Sequence, residues 1–171
     1  MKENYNIMRI KLDGEDMYIL WFSDIQDGVY TYDGERNIPV FPDMESLKKF
    51  CDSRHVLLSS DEIIYCNLDM IRGWLENPTD YGIKYDDFFH VWNIIHDILL
   101  SIDELSEIEA EFPYYYSLYD KLFWGAMMES RGKIHSGYYQ DWEDDEIVSL
   151  QGILRNGIDY FREYGSFYTR V

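Results

Sequence analysis

Cysteine is nearly missing from this chain. Only Cys51 and Cys66 occur among 171 residues, too few for a disulfide framework and without the spacing of a zinc or redox pair, so a reducing compartment is expected. Base is scarce as well. Fifteen Lys and Arg stand against 33 Asp and Glu, a formal charge of −18, which excludes the basic footprint that nucleic acid or an anionic membrane would need. No stretch approaches the roughly 20 consecutive apolar residues that cross a bilayer, and the opening "MKENYNIMRIKLDG" has no apolar signal-peptide core. The expected location is therefore the cytoplasm. Catalytic signatures are missing too: there is no G-x-S-x-G elbow, phosphate-binding glycine loop or dinucleotide fingerprint, since Gly14, Gly28 and Gly34 fall in expected hairpin turns.

What is present is apolar and aromatic material. Apolar residues make up 46% of the chain and aromatic ones 18%, enough for a single domain that removes roughly 70% of its unfolded surface from water. The acid is unevenly spread. Seven bases and 13 acids lie up to Cys66, net −6, and eight and 20 from Asn67 onward, net −12; between Tyr85 and Asp120 there is no Lys or Arg. Such a surface suits a basic partner.

The first forty residues read as an antiparallel meander. "YNIMRIKL" and "MYILWF" flank Asp13-Gly14, a pair suited to the positive backbone angles of a tight hairpin. A second such pair, Asp33-Gly34, precedes a short strand at Ile38 to Phe41 that Pro39 confines to an edge. Asp43 is placed to cap a helix that carries Met44, Leu47 and Phe50 or Cys51 on one face, "DEIIYCN" fits a further strand, and "LDMIRGWLEN" a short helix ended by Pro78.

The clearest helix spans about Tyr85 to Ile102, with Phe88, Trp92, Ile95, Leu99 and Ile102 as its buried stripe. Asn93 and Asp97, four apart in its most apolar part, require partners; a neighbouring loop backbone or the Tyr and Lys of "YDKLFW" are the expected ones. Pro113 and Gly125 bracket another helix, "EFPYYYSLYDKLFWG", and Ala126 to Tyr139 reads as a long loop. A last helix begins near Trp142 or Glu143, with Leu150, Leu154, Ile158 and Phe161 toward the core and "EDDE" at its positive end. The predicted fold is α+β: an N-terminal antiparallel β-meander packed on a C-terminal, mostly helical part. It forms one domain, with residues 1–66 as a β-rich lobe bearing one helix and 67–171 as a helical lobe.

The histidines His55, His90, His96 and His135 do not fall at metal-ligand spacing; His90 and His96 are six residues apart and face different sides of one helix. No metal or other cofactor is expected. Acidic pairs such as Asp86-Asp87, Asp103-Glu104 and Asp144-Asp145 diverge by about 100° on a helix, which fits a solvated face or a docking surface better than an ion site. A hydrolase would instead need a cleft that gathers His96 or His135 with two carboxylates.

Two stretches, "FHVWNIIHDILLSI" with Trp92, Asn93 and Asp97, and "SLYDKLFWG" with Tyr119 to Gly125, followed by an acidic terminal helix, resemble bacterial immunity proteins of contact-dependent growth inhibition and other polymorphic toxin systems. The resemblance covers about half the chain and carries no catalytic signature. It implies a non-enzymatic cytoplasmic protein that binds and neutralises a cognate toxin domain by blocking its active site. Charge independently favours a basic nuclease as that toxin. On this reading the contact residues are Asp103, Glu104, Glu107, Glu109, Glu111, Asp141, Glu143, Asp144, Asp145 and Glu146, with Tyr114, Tyr138 and Tyr139 as ring anchors. A DNA mimic, whose carboxylates imitate phosphates to occupy a nucleic-acid-binding protein, is the alternative.

Overall fold

The Asp13-Gly14 pair does what its chemistry suggests: both residues take positive φ, 55° and 80°, and join β1 (Asn4–Leu12) to β2 (Glu15–Phe22) in a tight antiparallel hairpin with Leu12 opposite Glu15. The computed structural model describes residues 4–32, 34, 36–132 and 140–168. The hairpin tip is anchored from outside. Asp69 accepts hydrogen bonds from the backbone N–H of Asp13 and of Gly14, both at 2.8 Å, while Arg72 and Arg162 hold the Asp13 carboxylate.

Side chains alternate across β1 and β2, so Met8, Ile10 and Ile19 enter one core and Ile7 and Leu20 another. The fold is α+β, with N-terminal strands and C-terminal helices. Short β3 (Gly28–Val29) completes the antiparallel run on β2, and β5 (Leu57–Asn67) adds on the far side, parallel to β1, giving the order β3-β2-β1-β5. Before β5, the chain forms β4 (Ile38–Val40) and helix α1 (Met44–Arg54), whose N-cap Asp43 accepts from Ser46 N–H at 2.7 Å. Strand β4, expected at an edge of the antiparallel meander, instead lies outside the main sheet. It pairs in parallel with β6 (Gly165–Phe167), formed by residues that follow every helix.

The smaller core lies between the sheet and α1, and joins Leu47, Phe50 and Cys51 to Phe41, with Tyr5, Tyr18, Tyr30 and Tyr168 packed around them. The larger core lies on the other face. A 3-10 turn (Leu68–Ile71) leads into α2 (Arg72–Glu76), and then come α3 (Tyr85–Ser101), α4 (Leu105–Glu111), α5 (Tyr115–Ser130) and α6 (Asp144–Tyr164). Helix α3 is apolar nearly all round because α5, α6 and β3 surround it. Helix α6 starts with a capping box between Glu143 and Glu146 and buries Leu150, Ile153, Leu154, Ile158 and Phe161.

The acidic run 105–111, for which no element was predicted, is a helix, α4, held by buried Ile108. Two expectations need correction. Pro113 precedes rather than opens α5, which starts at Tyr115. Gly125 does not end that helix, which continues to Ser130; a Cβ at Gly125 would lie 2.0 Å from Cδ1 of Tyr85, so glycine is there to let α5 pack closely on the start of α3. Only residues 131 and 132 of the expected loop beyond Ser130 are described; Tyr138, Tyr139 and His135 lie outside the described residues. Among the described residues, no helix is long and apolar enough to cross a membrane.

Candidate functional site

Helix α3 carries one polar interruption, and its members share a face: Asn93, His96, Asp97 and Leu100 follow at intervals of three, four and seven residues. Opposite them, α5 contributes Tyr115, Tyr116 and Tyr119, and the loop after β2 contributes Gln26 and Asp27. Together with Trp92 they line a cleft of about 310 Å³. Several contacts fix the walls. Ser101 Oγ accepts from Val29 N–H at 2.9 Å and donates to the Asp97 carbonyl at 2.7 Å, tying β3 to α3. Gly28 permits that approach, since a Cβ there would lie 2.8 Å from Ser101 Oγ. Ser23 Oγ donates to Asp27 at 2.7 Å and closes the loop. The rings of Trp92 and Tyr115 pack with centroids 4.7 Å apart.

Asp97 is the chemical centre. It is 7% exposed, and Oδ2 accepts from Trp21 Nε1 at 2.8 Å. This corrects the expected partners, a loop or the "YDKLFW" groups: the indole comes from β2, 76 residues away. Burial lifts the Asp97 carboxyl to about 6, the Trp21 N–H opposes, and nearby Asp27 adds to the rise. Oδ1 has no partner among the described residues, yet it is not fully enclosed. Beside it, His96 Nδ1 and the Tyr115 hydroxyl share a hydrogen bond of 2.9 Å. Burial holds the imidazole below its ordinary range while Glu109 pulls it up, and burial raises the Tyr115 phenol. Trp92, 1% exposed, has an indole N–H with no partner among the described residues. Perturbed titration and unmet polar groups in one cleft are marks of a functional site.

The acidic segments meet beside this cleft. Tyr116, a wall of the cleft and 61% exposed, donates to Glu109 of α4. Tyr114 sits next to Asp145, which raises its phenol. Phe112 lies flat against Gly152 of α6, where a Cβ would come within 2.6 Å of the ring. The start of α5 is thus flanked by acids of α4 on one side and of the α6 N-terminus on the other. Asp103, Glu104, Glu107 and Glu111 also line an open groove with Arg36 and Tyr160.

Not all the expected contact residues are free. Glu104 is buried and paired with Arg36, with the Tyr164 hydroxyl donating at 3.3 Å, so its role is to hold the β4 approach to α6. Glu146 accepts from Lys121 at 2.5 Å and from the backbone of Glu143 at 3.0 Å. Asp103 lies 3.8 Å from Arg36. By contrast, the carboxylates of Glu107, Glu109, Glu111, Asp141, Glu143, Asp144 and Asp145 make no ion pair among the described residues, although the Lys121 ammonium donates to the Asp141 carbonyl at 2.6 Å. The thiols are not candidates: burial pushes Cys51 up to about 11 and Cys66 to about 12, so neither supplies a thiolate. No group of three or more His, Cys, Asp or Glu placed to hold a metal occurs among the described residues.

Compared with known proteins, the chain matches no family model, no curated protein and no solved structure.

Sequence reasoning singled out Asn93 and Asp97 for burial, and named His96 only as a histidine that a hydrolase cleft could use, because its spacing was measured against His90. The informative interval was the three residues back to Asn93. Asp27 and Gln26 carried no sequence signal, since a loop places them there.

Proposed function

We propose that the protein is a non-enzymatic immunity protein that acts in the cytoplasm, binding a cognate basic toxin domain, a nuclease by its charge, and blocking its active site. One observation supports this reading above others: acids from two distant segments, 107–111 and 141–145, flank the exposed rings of Tyr114 and Tyr116, and their carboxylates make no ion pair among the described residues. Uncompensated carboxylates speed encounter with a cationic surface, and tyrosines between them supply contact area at low entropic cost.

The test is binding to purified basic nuclease domains across a salt series, with a charge-reversed triple variant, Glu107→Lys, Glu109→Lys and Glu111→Lys, beside a control reversed at Asp52 and Glu62 on the sheet side. The expected result is an association rate that falls roughly tenfold or more between low and physiological salt and is lost in the triple variant alone. Binding to none of the domains, or equal loss in the control, refutes the reading.

A second reading, a hydrolase, has one observation behind it: the cleft gathers His96 with Asp97 and Asp27. The pairing is unlike that of a nucleophile activated by a base, because His96 bonds Tyr115 and Asp97 bonds Trp21. Turnover of an ester or glycoside panel that disappears in His96→Ala would favour it over binding alone.

A further inference from the structure

The cleft between α3, α5 and the loop after β2 is built for an organic cation, and we propose that it binds a guanidinium or ammonium group carried on an alkyl stem. The walls are the rings of Trp92, Tyr115, Tyr116 and Tyr119, and the polar groups among them include two carboxylates, Asp27 and Asp97, and the amides of Gln26 and Asn93, whose carbonyls can accept. No Lys or Arg lines it. Its one base, His96, has its imidazole pushed below the ordinary range by burial, against the pull of Glu109, which disfavours a positive charge inside. Carboxylates in an aromatic enclosure are the arrangement that recognises alkylated ammonium and guanidinium ions, through ion pairing and attraction to ring faces. An anion would meet two carboxylates, with Glu109 close by.

Size limits the occupant. At about 310 Å³ the cleft is at the lower end for small-molecule sites, enough for one long side chain or a small amine. Two sources have that chemistry: an arginine or lysine side chain on a protein partner, or a free alkyl amine. The site does not depend on the toxin-binding reading, and its failure would leave that reading intact, since the test uses no toxin.

Three probes are titrated against the intact protein by calorimetry and by the indole N–H resonance of Trp92: N-acetyl-arginine amide, agmatine, and N-acetyl-citrulline amide, the neutral isostere. Dissociation constants of about 0.1–1 mM are expected for the cations, as suits ligands of this size, with citrulline at least tenfold weaker. Asp97→Asn and, as a change outside the hydrophobic core that keeps an acceptor for Ser23, Asp27→Asn should each weaken the cations at least fivefold while leaving the circular dichroism spectrum unchanged. Saturation by arginine amide but not by agmatine supports a peptide-borne cation, and saturation by both supports a free amine as well. The proposal is overturned if no cation saturates, if citrulline binds as tightly as arginine, or if Asp27→Asn binds like the wild type.

Discussion

Replacing Asp97 with Asn should make the protein more stable, and only above a particular pH. The carboxyl is raised from 3.8 to about 6 because burial penalises its charge more than the Trp21 N–H rewards it. The folded state therefore holds this proton more tightly than the unfolded chain. The group's contribution to stability is greatest below about pH 4, falls as pH rises toward 6, and stays low beyond. A gap of roughly two pKa units corresponds to about 3 kcal/mol. Asparagine carries no charge to desolvate and can still accept from Trp21, though a neutral acceptor gives back about 1 kcal/mol. The net expected gain is about 2 kcal/mol at pH 8, or roughly 4–8 °C in Tm for a domain of this length. Urea unfolding of both proteins from pH 3.5 to 8 measures the gap directly. It should be near zero at the acid end and open through pH 4 to 6. A gap that does not vary with pH, or an Asn variant that is less stable at pH 8, would refute the argument that Asp97 is a buried carboxylate kept at a cost. A residue retained against the stability of the fold is one kept for what it does.

Gly125→Ala should cost about 1–3 kcal/mol or more in thermal unfolding, since the added methyl meets the Tyr85 ring at 2.0 Å, whereas Gly73→Ala, with nothing within 4 Å, should gain up to about 1 kcal/mol of helix propensity. Arg36→Met leaves the Glu104 carboxylate buried with no cation, beside the Tyr160 and Tyr164 hydroxyls, and is expected to destabilise by about 1–3 kcal/mol, a loss that Glu104→Gln on the same background should partly restore. Tyr168→Ala removes a ring 5.0 Å from that of Phe50 and 5.7 Å from that of Phe41, so hydrogen exchange in β4 and α1 should speed up well before that in α3.

Where the chain's local chemistry decides the outcome, the sequence was a sufficient guide. Asp13-Gly14 turns the hairpin, Asp43 caps α1, and the stripe on α3 lies inside. Where a distant partner decides, it was not. Gly125 reads locally as a helix terminator, and only the Tyr85 ring, forty residues earlier, reveals a packing glycine. The parallel pairing of β5 with β1 depends on α1 carrying the chain back across the sheet, which no short pattern encodes. The candidate site shows the same division. Asn93 and Asp97 stand out as polar residues on an apolar helix, whereas the indole that binds Asp97 comes from β2 and the loop acid Asp27 is placed by Gly28 and Ser101.

The pairing of β4 with β6 bears on how the protein emerges from the ribosome. Phe41, Phe50 and Leu47 are made early, yet their core stays open until Gly165 to Tyr168 arrive to cover it. During most of synthesis the nascent chain presents an unfinished aromatic cluster, which a chaperone has reason to hold. Closure can come only after the helices have been made, so the core that is begun first is completed last.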